Sequence, residues 1–376
     1  MTRILITGGA GFIGSNLARR LASDGHSVTV LDTLATQIHG ESPENSPLVR
    51  SLQGNAVLIR GDVTDRAALT AALEGQEAIV HLAAETGTGQ SMYQIEHYSR
   101  VNIGGTALLL DILAANRGSV RRVVVASSRA IYGEGRYRSE ALGLVCPGPR
   151  NRADLEAGDF EPKVPGGGAL TALPTDEDSR IHPTSVYGIT KQVQEQLVLT
   201  AGAAIGIEAV ALRYQNVYGP GQSLSNPYTG ILSIFSNRIM SGQPINIFED
   251  GHESRDFIFI DDVVEATAKA LLSPNAPHHA INVGTGAPID VLTVARSLVR
   301  LIGRDVPVIV SGAFRVGDIR HNFACTRRAE AILDFRATIA FEQGLKAFVA
   351  WATAQGAQAS RYEESLVEMR TRGLMS

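Results

Sequence analysis

Three glycines constrain this chain more than any other feature. They stand at GxxGxxG spacing in Gly8-Gly9-Ala10-Gly11-Phe12-Ile13-Gly14, between a strand-like run, Arg3–Thr7, and a helix-like stretch, Gly11–Ala22. Gly8 permits the tight turn, Gly11 lets the backbone approach a pyrophosphate, and Gly14 allows close helix–strand packing. The N-terminus of such a helix offers free N–H groups and a partial positive charge. A glycine triplet alone also suits an ordinary tight turn. The strand–turn–helix context makes it a dinucleotide-binding turn.

The rest of the first half repeats the same order. Strand-like runs lie at Ser27–Leu31, Ala56–Arg60, Ala78–Leu82, Arg122–Ser127 and Ile207–Leu212. Helix-like stretches lie at Arg66–Ala72, Gly104–Ala115 and Ser185–Ala201. Strands nearly continuous in Val, Ile and Leu are buried on both faces. In βα alternation they predict an α/β fold with a doubly wound parallel sheet. Glycine fits this: 38 of 376 residues, above the usual share of about 7%. The second half is less regular, with helices expected at Gly230–Ser241, Val263–Leu272 and Val291–Leu301 and a strand at Ile245–Phe248. The tail from Phe341 to Gly373 reads as helical, broken near Gly356. Arg136–Arg180 interrupts the pattern with Gly, Pro and a charged stretch. Loops this long are usually functional or mobile. It reads as an insertion near a binding cleft, or else as a disordered surface excursion.

Composition narrows the function classes. A hydrophobic share of 44% against 19% charged residues excludes overall disorder. A net charge of −4 offers no polybasic surface, so neither nucleic acid nor acidic lipid is an expected partner. Cys146 and Cys325 have no CxxC or histidine spacing, so neither a disulfide framework nor a metal site is expected. No signal-like apolar region opens the chain, and no run of about 18 uncharged apolar residues occurs. A cytoplasmic location is the default expectation.

Asp32 ends the second strand, eighteen residues beyond Gly14. A carboxylate there can accept both ribose hydroxyls of an adenosine and would repel a 2′-phosphate, which favours NAD over NADP. The alternative for Asp32 is a helix cap in the next loop. Asp62-Val63 follows the third strand, where the adenine edge would lie. His81-Leu82-Ala83-Ala84 follows the fourth, with small residues where a cofactor passes closely. His81 itself reads as a buried, satisfied histidine.

Tyr187 and Lys191 form a YxxxK pair on one face of a predicted helix. An ammonium near a phenol stabilises the phenolate, which predicts a Tyr187 pKa below the usual value of about 10 and makes it a usable general base. Ser128, about sixty residues upstream at the end of a buried strand, could bridge a substrate hydroxyl and Tyr187.

These residues carry a family resemblance. The chain resembles the extended short-chain dehydrogenase/reductases of the nucleotide-sugar epimerase/dehydratase group. The matching stretches are Thr7–Gly14, Gly61–Val63, His81–Ala84, Val101-Asn102, Ser127–Gly133, Tyr187–Lys191, Leu212–Pro220, Arg255–Val263 and Arg315–Asp318. The resemblance implies a Rossmann sheet with a smaller, interdigitated C-terminal substrate domain. Residues 1–213 would bind NAD and carry the insertion 136–180. Residues 214–376 would mainly bind a sugar nucleotide, a dTDP- or UDP-hexose, with segments near 255–272 returning to the first part. It implies a catalytic set of Ser128, Tyr187 and Lys191, and a homodimer. The cofactor residues carried over are Gly8, Gly11, Phe12, Ile13, Gly14, Asp32, Asp62, Val63, Leu82, Ala83, Ala84, Asn102, Tyr187, Lys191 and Tyr214. Those for substrate are Ser128, Asn216, Arg255, Arg315 and Asp318. Two guanidiniums supply forked donors for a diphosphate. Gln215 replaces the family's usual phenylalanine between Tyr214 and Asn216.

The residues after Ser128 separate reactions. Sugar 4,6-dehydratases place an Asp-Glu pair there, whereas this chain has Arg129-Ala130, which argues against dehydration. Decarboxylases of the group also add an acid beside that position. An NAD-retaining 4-epimerase is the expected activity, with a nucleotide-sugar 4-ketoreductase as the near alternative and a non-catalytic NAD sensor as the distant one. The run Leu144–Arg150 and Asp154–Gly158 resembles an insertion of the dTDP-L-rhamnose 4-epimerase type. The CxxC pair often found in such insertions is replaced by glycines here, so a metal knuckle is not expected.

Overall fold

A computed structural model describes residues 1–228 and 230–376. Seven parallel strands form the central sheet, in the order Ala280–Val283, Glu208–Tyr214, Arg122–Ser128, Ala78–His81, Arg3–Thr7, Ser27–Asp32, Val57–Arg60. Register runs from Arg3 opposite Ser27 to Thr7 opposite Leu31, and from Ile4 opposite Ala78 to Thr7 opposite His81. The expected α/β doubly wound sheet is present. Its order reverses between the first and fourth strands, which is where open α/β sheets bind ligands.

Alternate residues of each strand feed two different cores, because successive side chains point to opposite faces. Ile4, Ile6, Val124, Ala126, Val210 and Leu212 enter one core. It also takes Leu17 and Leu21 from the helix Phe12–Ser23 and Val263 from the helix Ile260–Leu272. Leu5, Val123, Val125, Ala209 and Ala211 enter the other, with Leu109 from the helix Gly105–Ala115 and Val198 from the helix Val186–Ala204. This two-sided burial is why the strands read as unbroken apolar runs.

The first core continues without a gap into the C-terminal half, through the helices Ile231–Met240, Val291–Ile302 and Phe341–Gln355. A second sheet there pairs Ser254–Phe259 with Asn216–Tyr218, Pro288–Asp290 and His321–Asn322.

The segment 136–180 is no structureless excursion. Arg136–Ser139 pairs antiparallel with both Gly143–Val145 and Leu170–Leu173, and a short helix, Arg152–Glu156, lies between the last two strands. No described helix is long and apolar enough to cross a membrane.

Candidate active site

The site is built at the carboxyl ends of the first and fourth strands. Gly8 has φ 68°, and a Cβ there would lie 2.7 Å from the Ala83 nitrogen. Both the dihedral and the close approach of the Leu82-Ala83-Ala84 loop therefore demand glycine. Leu82 donates its N–H to the Thr7 carbonyl at 3.0 Å, and Ala83 donates to Thr7 Oγ1 at 3.3 Å. A Cβ at Gly14 would sit 2.5 Å from Gly9 Cα, so the first helix seats directly on the loop. At Gly11 a Cβ would meet, among the described residues, only the Gly8 oxygen at 3.3 Å. That helix has no side-chain cap, which leaves the amides around Phe12 and Ile13 available to an anion.

Asp32 completes the cradle. Its carboxylate accepts the Ala10 N–H at 3.0 Å and the Leu34 N–H at 2.9 Å, which sets it at the rim of the glycine loop. An open glycine face, uncapped amides and a carboxylate at that rim fit a dinucleotide with free ribose hydroxyls. Asp62 Oδ1 accepts from both the nitrogen and the hydroxyl of Thr64 at 2.8 Å. Val63 is buried against Gly105. Asn102 acts as a clamp: it donates to Thr190 Oγ1 at 2.9 Å and to the Glu85 carbonyl at 3.1 Å, and accepts the Glu85 N–H at 2.7 Å. It thereby ties the loop after the fourth strand to the Tyr187 helix. His81 is buried between Thr7 Oγ1, at 2.7 Å, and Thr106 Oγ1, at 3.0 Å, and burial pushes its pKa down to about 3.

Ser128, Tyr187 and Lys191 converge. Ser185 Oγ accepts the Gly188 N–H at 3.1 Å and starts the helix Val186–Ala204, which puts Tyr187 and Lys191 one turn apart. Lys191 Nζ lies 6.0 Å from the Tyr187 ring centroid. Ser128 lies close enough to Tyr187 to lower its pKa, and its Oγ accepts the Ala130 N–H at 3.1 Å. Ser128 is also opposite Tyr214 in register, and the Tyr214 hydroxyl pairs with Thr267 Oγ1 at 2.8 Å. A buried ion pair locks this helix to the sheet: Arg213 Nη2 donates to Glu195 Oε1 at 2.5 Å, while Ser127 Oγ donates to Glu195 Oε2 at 2.5 Å.

The electrostatics correct one expectation. The Tyr187 pKa is raised, because burial outweighs the effects of Ser128 and the Arg129 cation. Lys191 is not the group that opposes burial. Its Nζ donates to the Ala126 carbonyl at 3.0 Å, and burial pushes its own pKa down to about 7.

The predicted substrate residues also gather. Arg255 and Arg315 both pair with Asp318, at 3.1 and 3.2 Å. Burial would raise the Asp318 pKa, but Arg315, Arg255, Arg150 and Arg129 together hold it well below the usual range. Arg255 spends its guanidinium on the carbonyls of Ser254, Ile319 and Arg320 as well as on Asp318. Arg315 is freer: it stacks over Phe248, and its buried Nε has no hydrogen-bond partner among the described residues. Asn216 Oδ1 and both polar side-chain atoms of Gln215 are likewise buried without hydrogen-bond partners among the described residues.

Sequence reasoning missed the charges beneath this cluster. Arg150 of the insertion pairs with Glu134 at 3.1 Å and with Glu249 at 2.7 Å, and Arg320 donates to Asp250 at 2.6 and 2.8 Å. These are isolated charges in the sequence, brought together only by the tertiary fold. The insertion therefore lies against Asp318 and the arginines.

Known proteins match this arrangement. The profile of the NAD dependent epimerase/dehydratase family matches residues 4–151 and 164–284. The chain is 39% identical over 352 residues to a dTDP-L-rhamnose 4-epimerase of Burkholderia thailandensis, covering 93% of this chain and 94% of the relative. Among solved structures it is similar to a UDP-glucose 4-epimerase of Thermotoga maritima with UDP-glucose, at 28% identity and TM-score 0.77, covering 94% and 99% of the two chains. It is also similar to MoeE5 in complex with UDP-glucuronic acid and NAD, at 28% identity and TM-score 0.74, with the same coverage.

Proposed function

The chain belongs to the NAD dependent epimerase/dehydratase family, and from that premise we propose that it is an NAD-dependent nucleotide-sugar 4-epimerase. Its substrate in this reading is a dTDP- or UDP-hexose, which passes through a 4-keto sugar. The observation that carries it is the convergence of Ser128, Tyr187 and Lys191 at the carboxyl end of the strand next to the switch point, with Arg129-Ala130 rather than acids after Ser128.

The chemistry NAD supplies when bound is reversible hydride acceptance at C4 of the hexose. Gly8, Gly11, Phe12, Ile13 and Gly14 hold its pyrophosphate, Asp32 the adenosine ribose, and Asp62 with Val63 the adenine edge. Leu82, Ala83 and Ala84 form the wall it passes, with Asn102 and Tyr214 supporting the site. Tyr187 takes the proton of the C4 hydroxyl and later returns it. Ser128 aligns that hydroxyl with Tyr187, and Lys191 holds the nicotinamide ribose. Arg255, Arg315 and Asn216 anchor the diphosphate while the keto sugar turns its other face, and Asp318 orients the two guanidiniums.

Residues 1–213 form the NAD-binding part in this account and residues 214–376 mainly the sugar-nucleotide part, within a cytoplasmic homodimer. Mass spectrometry of ligand released from the purified protein, followed by assay on a panel of sugar nucleotides, tests the assignment. NAD together with turnover of a dTDP- or UDP-hexose is expected. A protein that carries no NAD and turns over none of the panel contradicts the proposal.

A further inference from the structure

Three strand ends carry the proposed cofactor site. The strand Arg3–Thr7 lies between Ala78–His81 and Ser27–Asp32. Neighbouring strands run about 4.8 Å apart, so the two outer ends stand roughly 10 Å from each other. A contact between the segments that follow the outer strands must therefore span the end of the middle one, where the Gly8–Gly14 loop begins. Two glutamines make that contact. Gln37, shortly after Asp32, donates Nε2 to Gln90 Oε1 at 3.3 Å. Gln90, shortly after Ala84, returns the bond from its own Nε2 to Gln37 Oε1 at 3.3 Å.

The two halves of this amide pair are held differently. Gln90 is buried, on the short helix Thr88–Ser91. Its Oε1 also accepts the Tyr98 hydroxyl at 3.2 Å. The next residue, Ser91, accepts the Tyr187 N–H on Oγ at 3.0 Å. On the preceding residue, a Cβ at Gly89 would lie 3.2 Å from Met369 Sδ of the helix Tyr362–Thr371. Gln90 is thus fixed against both the Tyr187 helix and the C-terminal helix. Gln37 is exposed, on the four-residue helix Thr36–His39. The pair stands clear of the open glycine face: among the described residues, a Cβ at Gly11 meets only the Gly8 oxygen within 4 Å.

We propose that Gln37 and Gln90 form a clasp across the dinucleotide cleft that retains NAD between turnovers. This rests on the reading of the cleft as an NAD site and goes beyond it by naming what keeps the cofactor there. A dinucleotide reaching from Asp32 to Tyr187 must cross the end of the middle strand, along the line that the pair spans. Release then requires Gln37 to swing away with its short helix while Gln90 stays in place. Opening exchanges two neutral hydrogen bonds for bonds to water, a modest but definite cost. Such a clasp suits an epimerase, which regenerates its NAD in each turnover and has no need to exchange it. A ketoreductase must exchange its cofactor in every cycle, and a clasp would slow it.

The test uses the NAD-loaded protein and the variants Gln37→Ala, Gln90→Met and the double variant. Gln37 is exposed, and methionine keeps the length and burial of Gln90 while the Tyr98 hydroxyl retains the Thr86 carbonyl at 2.5 Å. A chase with isotopically labelled NAD, followed by mass spectrometry of the protein-bound cofactor, reads the release rate without any turnover. Each single variant should release NAD about five- to tenfold faster than the wild type. The double variant should be no faster than the faster single one, because one contact can be broken only once. Release at the wild-type rate in Gln37→Ala, or effects that multiply in the double variant, would overturn the clasp while leaving the NAD site in place. A wild type that neither carries nor takes up NAD would instead overturn the functional reading, and the clasp with it.

Discussion

Arg150 grips Glu249 with both terminal nitrogens, at 2.9 and 2.7 Å, and both side chains are buried. Arg150 belongs to the segment 136–180, and the same guanidinium donates to the Asp318 carbonyl at 3.0 Å. One side chain therefore joins the inserted sheet, the C-terminal half and the loop that carries the predicted diphosphate residues.

Arg150→Met leaves Glu249 and Glu134 without this buried cation. Breaking one side of a buried pair costs about 3–5 kcal/mol. Denaturant unfolding should show a loss of about 3 kcal/mol. KM for the sugar nucleotide should rise, with NAD affinity unchanged. A loss under about 1 kcal/mol would match an exposed pair instead.

The glycine turn and the place of Asp32 were legible because their requirements are local. A left-handed Gly8 and a carboxylate at the end of the second strand follow from short-range spacing, whereas the approach of Ala83 to Gly8 comes from the pairing of the first and fourth strands. The inserted sheet was not legible. Its strands are three or four residues long, and in Arg136–Ser139 only alternate residues are buried, so there is no apolar run to recognise. The strand Ala280–Val283 is also only four residues long, and it lies at the sheet's edge. The direction of the Tyr187 pKa was misjudged because pair spacing shows a neighbouring ammonium but not the burial that acts on both groups.

Cofactor choice should follow Asp32. Calorimetry should give tighter binding of NAD than of NADP. Asp32→Ala should narrow that preference by about tenfold, roughly 1.4 kcal/mol, by removing the charge that repels a 2′-phosphate. Equal or better binding of NADP by the wild type would remove Asp32 from this role.

Glu134 gives the fold a pH signature. Burial raises its pKa from 4.5 to about 7, against the pull of Arg150, the Arg320 N–H and Arg255. An acid raised on folding favours its protonated form in the native state. Its contribution is full below pH 4.5 and is lost as pH climbs through about 7. Glu134→Gln should therefore flatten the stability profile across that window, as read by thermal or denaturant unfolding. An identical slope in the variant and the wild type would contradict this assignment.

Tyr187→Phe removes the proposed base without disturbing the glycine cradle. kcat should fall by about 10²–10⁴-fold, while NAD affinity measured by calorimetry stays near the wild-type value. A variant that keeps more than about a tenth of wild-type kcat is incompatible with general-base catalysis by Tyr187.

The central claim is epimerisation at C4 with the cofactor regenerated within each turnover. The most direct measurement follows the purified, NAD-loaded protein by NMR with each member of a 4-epimeric sugar-nucleotide pair in turn. Both starting materials should reach the same mixture of epimers, with no net gain or loss of reduced cofactor. Conversion in one direction only, matched mole for mole by consumption of a reduced nicotinamide, would contradict it and identify a ketoreductase instead.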